Sequence, residues 1–321
     1  MKPLLLALGL VLVGVTTLYW TRPRLLFDVV KGLLRRRAAL SRKSVRVGDS
    51  EWPYLDGGKA TGDPVVLVHG FGGDKDNWTL YAPYLAPHHR VICPDLPGFG
   101  ENDHSVDRDY RMQAQAWRLR DFLDALGVAR CHLAGNSMGG FIALQFALDF
   151  PGRVASLTLL DNAGVAGTGS SDLQRAIERR ENPLELKTLA DVDRLFAFVY
   201  HKPPFMPRQF KRVLLGDALA NERVLEKVFW TLADEGIAGV LNARLGEVRV
   251  PTLIVWGRQD QLIDVSVVDE LRRGIPDSVA VIFEHVGHVP MLEAPQETAE
   301  HHLALLARAS GVADHALAGL R

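Results

Sequence analysis

A Gly-x-Ser-x-Gly turn between an apolar strand and an apolar helix restricts the folds open to this chain more than any other feature. The turn reads GNSMGG over residues 135–140. Residues 131–134 before it are typical of a short buried strand, and residues 141–148 after it are typical of a helix packed on a sheet. A serine at such a turn takes a strained conformation that exposes its hydroxyl, and the glycines let strand and helix approach closely. The pattern predicts an α/β fold with Ser137 as a nucleophile.

Apolar strand-like runs alternate with helical patterns through the body of the chain. This alternation predicts a mostly parallel sheet of eight strands, with helices on both faces and a leading hairpin. Residues 163–247 contain helical patterns but no clear strand, so we interpret them as a helical cap inserted between the sixth and seventh strands. The expected strands are residues 45–47, 51–55, 65–68, 90–93, 130–134, 154–160, 252–256 and 279–283.

Composition limits the class of protein. The chain has 321 residues, 47% of them hydrophobic, which suits one α/β domain with an insertion. Its formal net charge is −1, yet residues 1–50 hold ten Lys/Arg against two Asp/Glu. This basic excess adjoins an apolar segment, which favours an anionic membrane surface over nucleic acid. Cys93 and Cys131 fall in expected strands, so we interpret them as packed side chains and not as a disulfide or zinc site.

The N-terminal segment, residues 1–22, is predicted to be a single transmembrane anchor. Residues 3–20 are uncharged and, at about 1.5 Å per helical residue, reach about 27 Å, close to the thickness of a hydrocarbon core. Tyr19 and Trp20 end the run, followed by Arg22, as in an aromatic belt with basic flanks. The alternative is a cleaved signal peptide, which the bulky aromatic end disfavours.

Residues 23–43 are predicted to form an amphipathic helix at the membrane surface, with leucine and valine on one face and basic residues elsewhere. An ordinary basic linker helix is the alternative. The expected location is the bacterial cytoplasmic membrane. The basic cluster after the anchor favours a cytoplasmic catalytic domain, whereas a signal-anchored bacterial hydrolase can also face the periplasm.

An acid and a base for the serine follow later strands in the expected order. Asp260 comes after the strand at 252–256, and His288 comes after the strand at 279–283. Both therefore lie at the carboxyl edge of the sheet, where the turn of Ser137 also lies. The order serine, carboxylate, histidine is the one expected for a nucleophile elbow of this type.

Three other residues compete for these roles. Asp264 comes four residues after Asp260, and we expect it to cap the following helix. Asp161 follows the sixth strand and is the alternative position for the acid. His285 is the alternative to His288 as the base. The glycine before His288 indicates a loop conformation that directs the His288 side chain toward the site. We therefore favour Asp260 and His288.

A glycine-rich turn after the third expected strand can supply oxyanion donors. It reads HGFGG over residues 69–73, and the backbone N–H groups of Phe71 and Met138 are the candidate donors. A phosphate loop is the alternative, but the Gly-Lys-Ser/Thr ending is missing. Residues 95–100 are interpreted as a structural turn, and no metal site is expected. The polar residues expected to be solvated are Glu101, Asp103, His104, Asp107, His88, His89, His301 and His302.

Residues 44–309 resemble the α/β-hydrolase superfamily. The motifs are HGFGGDKDNW at 69–78, GNSMGG at 135–140, WGRQDQ at 256–261 and GHV at 287–289. They are most similar to membrane-anchored monoacylglycerol lipases and their bacterial phospholipase A relatives, which also have one N-terminal anchor and a helical cap. The resemblance implies a core formed by 44–162 and 248–310, a cap at 163–247, and hydrolysis of acyl esters of glycerol or glycerophospholipids.

The resemblance also implies a role for each site residue. Ser137 is the nucleophile, Asp260 the triad acid and His288 the base. Phe71 and Met138 donate their backbone N–H groups to the oxyanion. No cofactor or metal is implied.

The function expected from the sequence is that of a membrane-anchored lipid esterase, with a fatty-acyl ester substrate and the bilayer as partners. One alternative is a carbon–carbon bond hydrolase of ring-cleavage products, which shares the elbow but gains nothing from an anchor. The second alternative is a non-enzymatic sensor, and the complete triad argues against it. Dehalogenases and epoxide hydrolases place aspartate where Ser137 stands. The sequence carries no signal for or against a homo-oligomer.

Overall fold

The computed structural model describes residues 2–235 and 239–311, with side chains from residue 11 onward. Its eight strands form one sheet in the order β1-β2-β4-β3-β5-β6-β7-β8. The pairs β1/β2 and β2/β4 are antiparallel and all others are parallel. The strands are β1 Leu40–Val47, β2 Ser50–Gly58, β3 Val65–Val68, β4 Arg90–Pro94, β5 Cys131–Asn136, β6 Val154–Leu160, β7 Thr252–Gly257 and β8 Ser278–Phe283.

Helices cover both faces of the sheet, because the central parallel strands are apolar on both sides and every residue of β3, β5, β6 and β7 is buried. One face carries α4 (Met112–Ala125), α5 (Met138–Asp149) and α10 (Val267–Gly274). The other carries α3 (Ala82–Leu85) and α12 (Pro295–Ala309). The mostly parallel eight-stranded sheet expected from the sequence is confirmed.

Four helices lie between β6 and β7, in the segment where the sequence predicts a cap. They are α6 (Asp172–Glu178), α7 (Leu189–Val199), α8 (Arg208–Ala220) and α9 (Glu222–Asp234). A 3₁₀ helix, Asn242–Glu247, then leads into β7. A further short helix, α11 (Pro290–Glu293), precedes α12.

Two helices precede the sheet, α1 (Lys2–Thr21) and α2 (Pro23–Arg37). Within the residues that the structure describes, no helix combines the length and the apolarity needed to cross a membrane. Residue 1 and the side chains of residues 2–10, which belong to the predicted anchor, lie outside the described part.

The helix expected over residues 23–43 is shorter in the structure. It ends at Arg37, and from Leu40 onward the chain pairs with β2. Arg42 and Lys43, at the end of the predicted helix, belong instead to an edge strand, whose side chains are exposed along most of β1. One basic run thus divides between the end of α2 and the start of β1.

His302, expected on the surface, is fully buried in α12. It lies on the helix face that packs on the sheet, three residues from both Ala299 and Leu305, whereas its neighbour His301 is exposed. The His302 Nδ1 lies 2.7 Å from the Tyr81 hydroxyl. Adjacent histidines on a helix point in different directions, which explains why one expectation for both was wrong.

Candidate active site

Ser137 occupies the turn between β5 and α5 in a strained backbone conformation, with φ +57° and ψ −121°. Positive φ is uncommon for a residue other than glycine and persists where the surrounding structure enforces it. Here the Ser137 N–H donates to the Leu160 carbonyl at 3.0 Å, and the Ser137 carbonyl accepts from Ala163 N–H at 3.1 Å. Ser137 is half-buried between fully buried neighbours.

Glycines at this turn are required by close backbone contacts. A Cβ atom on Gly135 would lie 2.2 Å from the Gly139 carbonyl oxygen, and one on Gly139 would lie 2.3 Å from the Val68 carbonyl oxygen. A side chain at either position would push α5 away from the sheet. The glycines of the motif therefore fix where the helix begins and where Ser137 points.

Asp260 and His288 form a hydrogen-bonded pair at the ends of β7 and β8. His288 Nδ1 lies 2.8 Å from Asp260 Oδ2, and both side chains are almost fully buried. The other carboxylate oxygen accepts from the backbone N–H groups of Leu262 at 2.7 Å and Ile263 at 3.1 Å. Three donors thus surround the Asp260 side chain and hold it in place. Nδ1–H therefore points at Asp260, leaving His288 Nε2 as an acceptor.

The structure brings Ser137 and His288 to one cavity of about 770 Å³ without a hydrogen bond between them. His288 Nε2 is buried and has no partner among the described residues. Catalytic hydrogen bonds are often long before substrate binds. An apolar part of the remaining wall comes from the segment between β6 and β7, and its residues are Leu184, Leu186, Val192, Leu195, Phe196, Leu214 and Leu225. Charged residues of α2 and of the loop after β3, among them Lys31, Arg35 and Asp74, line another part.

The two candidate oxyanion donors belong to segments that adjoin Ser137. Met138 is the first residue of α5, and Phe71 belongs to the loop after β3. A Cβ on Gly70 in that loop would lie 3.1 Å from the Ser137 Cβ, so the loop passes directly over the serine. In the described ranges, neither the Phe71 N–H nor the Met138 N–H donates to a protein acceptor. Both are therefore available to an oxyanion.

A buried ion pair supports the loop that carries Phe71. Lys75 Nζ lies 2.6 Å from Asp95 Oδ2, and both side chains are completely buried. Asp95 also accepts from the backbone N–H groups of Lys75 at 2.7 Å and Glu101 at 2.9 Å. The turn that the sequence marks as structural, residues 95–100, is thus joined through Asp95 to the end of the loop after β3.

Helix α2 contacts the same loop from outside. Lys31 Nζ lies 2.8 Å from Asp74 Oδ2 and 2.7 Å from Asp76 Oδ2. Arg35 binds Asp76 through two nitrogens, at 2.5 and 2.7 Å. These carboxylates raise the pKa of Lys31, although burial acts against them as the largest single influence. The N-terminal helix therefore holds a segment three to five residues beyond Phe71.

Sequence reasoning missed the residue that joins the serine and histidine loops. Asn136 Nδ2, next to Ser137, donates to the backbone carbonyls of His288 at 3.0 Å and Leu160 at 3.1 Å. Glu293 also holds the histidine loop, accepting from Gly287 N–H at 2.7 Å. Such contacts join segments far apart in sequence. An asparagine inside the elbow motif was the one available signal.

The alternative residues for the acid and the base do not hydrogen-bond to the His288 ring. Asp264, expected to cap α10, lies two residues before the N-cap position, which Ser266 occupies without a side-chain cap hydrogen bond. The Asp264 side chain accepts from the Ser266 N–H at 2.9 Å. His285 is exposed on the turn after β8. Asp161 lies beside the pair but accepts from Gly257 N–H at 2.9 Å, while the His288 ring bonds to Asp260.

One group of side chains in the described ranges has ligand atoms close enough together to share a metal ion. It consists of Asp161, Asp260 and His288, whose ligand atoms all lie within 4.8 Å of one another. The His288 Nδ1 and both Asp260 oxygens are already engaged with each other and with backbone N–H groups. We therefore interpret the group as a hydrogen-bonded acid–base cluster.

Comparisons with known proteins identify the family of this chain. A family model described as alpha/beta hydrolase fold matches residues 63–295. Lipase 1 of Psychrobacter immobilis is 36% identical over 272 residues, covering 84% of this chain and 85% of that protein. Monoacylglycerol lipase ABHD6 of Bos taurus is 29% identical over 308 residues, covering 92% and 90%. The crystal structure of a membrane phospholipase A, called a bacterial virulence factor, superposes with TM-score 0.87 at 39% identity, covering 97% of this chain and 99% of that one. This chain belongs to the α/β-hydrolase family.

Proposed function

We propose that this chain is a membrane-bound serine hydrolase that cleaves carboxylic esters of lipids through an acyl-enzyme on Ser137. The Asp260–His288 hydrogen bond beside the cavity that Ser137 also lines carries the proposal. Acyl transfer needs a nucleophile, a base with a free acceptor nitrogen, and a carboxylate that orients the base. These three groups meet here at one edge of the sheet.

The reaction proceeds in two halves. Ser137 Oγ attacks the ester carbonyl while His288 Nε2 takes the hydroxyl proton, and the Phe71 and Met138 N–H groups stabilise the oxyanion. The C–O bond to the alcohol then breaks, and His288 gives the proton to the leaving oxygen. A water molecule, deprotonated by His288, then attacks the acyl-enzyme. The bond between the acyl carbon and Ser137 Oγ breaks, His288 returns the proton to Oγ, and the fatty acid is released. Asp260 orients His288 and stabilises its charged form throughout.

The cavity and the relatives both support a lipid substrate. The apolar part of its wall suits an acyl chain, and about 770 Å³ accommodates a ligand larger than a short ester. The relatives' names include lipase, monoacylglycerol lipase and phospholipase A. We therefore place the substrate among monoacylglycerols, lysophospholipids and diacyl phospholipids. We infer that residues 163–247 act as the cap that selects among them, over a core of residues 44–162 and 248–310.

We also propose that residues 1–22 anchor the enzyme in the bacterial cytoplasmic membrane and that α2 lies at its surface. The uncharged run at 3–20 and its aromatic and basic flank support this proposal. An alkaline carbonate wash of membranes is expected to leave the full chain in the pellet, and detergent is expected to release it. Recovery in the carbonate supernatant would contradict an integral anchor.

Substitution of the nucleophile tests the mechanism. In detergent, the purified full chain is expected to hydrolyse short- and medium-chain p-nitrophenyl esters, and Ser137→Ala is expected to lower turnover at least about 10⁴-fold. Ser170→Ala, at an exposed serine, is the matched control and retains full activity. Undiminished turnover by Ser137→Ala would refute the mechanism.

A panel of lipids tests the substrate class. Hydrolysis of monoacylglycerols, lysophospholipids and diacyl phospholipids in mixed micelles is followed by release of free fatty acid. We expect at least one of these classes to be a better substrate than soluble dienone products of ring cleavage. The reverse preference would favour the carbon–carbon bond hydrolase.

A further inference from the structure

Asp161 is a buried carboxyl group beside the proposed triad that the reaction itself does not use. It directly follows β6, with φ +44°, a backbone region that non-glycine residues rarely occupy. Its side chain is completely buried. One oxygen, Oδ1, accepts from the Gly257 N–H at 2.9 Å, at the last residue of β7. A strained, fully buried acid next to a reactive pair calls for a physical explanation.

The second oxygen of Asp161 has no hydrogen-bond donor. Oδ2 is fully buried, and within the described ranges no N–H or O–H group points at it. The ligand atoms of Asp161, Asp260 and His288 all lie within 4.8 Å of one another. Two buried carboxylates at that separation do not both ionise, because their charges repel and neither is solvated. One of the two must carry a proton.

The surrounding donors decide which carboxyl carries it. Asp260 receives Leu262 N–H, Ile263 N–H and the His288 ring N–H, so its charged form is well stabilised. Asp161 receives only one N–H. A proton on Oδ2 turns the atom that lacks a donor into a donor itself, with an Asp260 oxygen as the nearby acceptor.

The electrostatic influences on Asp161 point the same way. Burial, followed by the charge of Asp260, raises the pKa of Asp161 well above its ordinary value. The charge of Glu293 raises it further, and only the Gly257 N–H acts in the opposite direction. Asp260, His288 and Glu293 are the ionisable groups around this carboxyl.

We propose that Asp161 is a positioning residue that stays protonated and donates a hydrogen bond from Oδ2 to the carboxylate of Asp260. The inference rests on the proposed function, because this hydrogen bond acts through Asp260, the acid of the proposed triad. The bond fixes the Asp260 carboxylate in place and withdraws part of its negative charge. The imidazolium of His288 is then less strongly stabilised, so His288 stays available as a base to lower pH.

Two substitutions separate this role from the alternatives. Asparagine has the shape of a protonated aspartate, can accept from Gly257 and donate to Asp260, and tolerates positive φ. Asp161→Asn is therefore expected to keep kcat/KM within about threefold, since it preserves both hydrogen bonds. Asp161→Ala removes the donor. We expect it to move the acidic limb of the kcat/KM profile to higher pH by on the order of half a unit.

Matched variants make the outcomes distinguishable. Asp264→Asn, in the same loop region but outside the cluster, should leave the acidic limb unchanged. Asp260→Asn should lower kcat by about 10⁴-fold. If Ser137→Ala and Asp260→Asn keep full activity, the proposed triad itself fails. If they are inactive but Asp161→Asn is equally inactive, Asp161 acts as an ionised acid and only the present proposal fails.

Infrared spectroscopy supplies a readout that does not depend on turnover. The full chain in detergent at neutral pH should show the carbonyl stretch of a buried protonated carboxyl group, and Asp161→Asn should lack it. The control Asp264→Asn should retain the band. A missing band in the unsubstituted protein would overturn the proposal, as would an unshifted acidic limb in an Asp161→Ala variant that is folded by circular dichroism.

Discussion

Replacing Lys75 by methionine is expected to destabilise the protein by about 3–5 kcal/mol, because it leaves a buried carboxylate without its cation. An exposed ion pair contributes only about 0–1 kcal/mol, but Lys75 and Asp95 are both completely buried with their charged atoms 2.6 Å apart. Asp95 would keep two backbone N–H donors, from Lys75 and Glu101, and lose its counter-charge. Methionine fills a similar volume, so a cavity adds little to this loss.

Thermal unfolding of the full chain in detergent, followed by circular dichroism, measures the effect. With an unfolding entropy of about 2.1 cal/mol/K per residue, about 1 kcal/mol corresponds to roughly 1.5 °C for 321 residues, so the midpoint should fall by roughly 4–8 °C. Lys59→Met, at an exposed lysine, is the control and should change stability by less than about 0.5 kcal/mol. The loss of stability in Lys75→Met should be smaller at acidic pH, where Asp95 becomes protonated. A loss below about 1 kcal/mol that does not vary with pH would refute the ion-pair argument.

Three further outcomes follow from particular contacts. Burial lowers the pKa of His302 to about 3, so its contribution to stability is complete above about pH 6.5 and is lost as pH falls from there, by about 1.4 kcal/mol per unit. Urea unfolding at several pH values should show His302→Phe removing that slope, and an unchanged slope would contradict the assignment. Gly135→Ala should lower kcat about 10²-fold, since its Cβ would meet a backbone oxygen of α5 at 2.2 Å; Gly152→Ala, with open space around it, should have no effect on kcat. Lys31→Met should lower kcat on soluble esters more than the control Arg36→Met does, because Arg36 is an exposed residue of α2. Equal kcat values for Lys31→Met and Arg36→Met would indicate that α2 does not support the loop that carries Phe71.

The sheet could be predicted because its central strands are continuous apolar runs. β3, β5, β6 and β7 are buried along their whole length, so burial and sequence pattern agree. The start of β1 was missed because an edge strand exposes most of its side chains and can carry charges. His302 was misplaced because adjacent histidines were treated alike. In each case the missing information was which face of an element is covered.

In the candidate site, too, some residues could be predicted from the sequence and others could not. Ser137, Asp260 and His288 each follow a recognisable strand, so the edge of the sheet on which they meet was predictable. Their supports were not. Lys75 and Asp95 lie twenty positions apart in sequence, and Asn136 reaches the carbonyl of a residue 152 positions away. Such contacts depend on tertiary packing, which no local pattern encodes.

Covalent labelling of the nucleophile tests the central claim most directly. An alkyl fluorophosphonate reacts with activated serines and is not released by water, so the label marks the attacking oxygen. Peptide mapping by mass spectrometry of the labelled full chain should find one equivalent on Ser137, with esterase activity falling in proportion and labelling much slower in Asp260→Asn. Stoichiometric labelling of another residue, or full esterase activity with Ser137 completely labelled, would contradict the account.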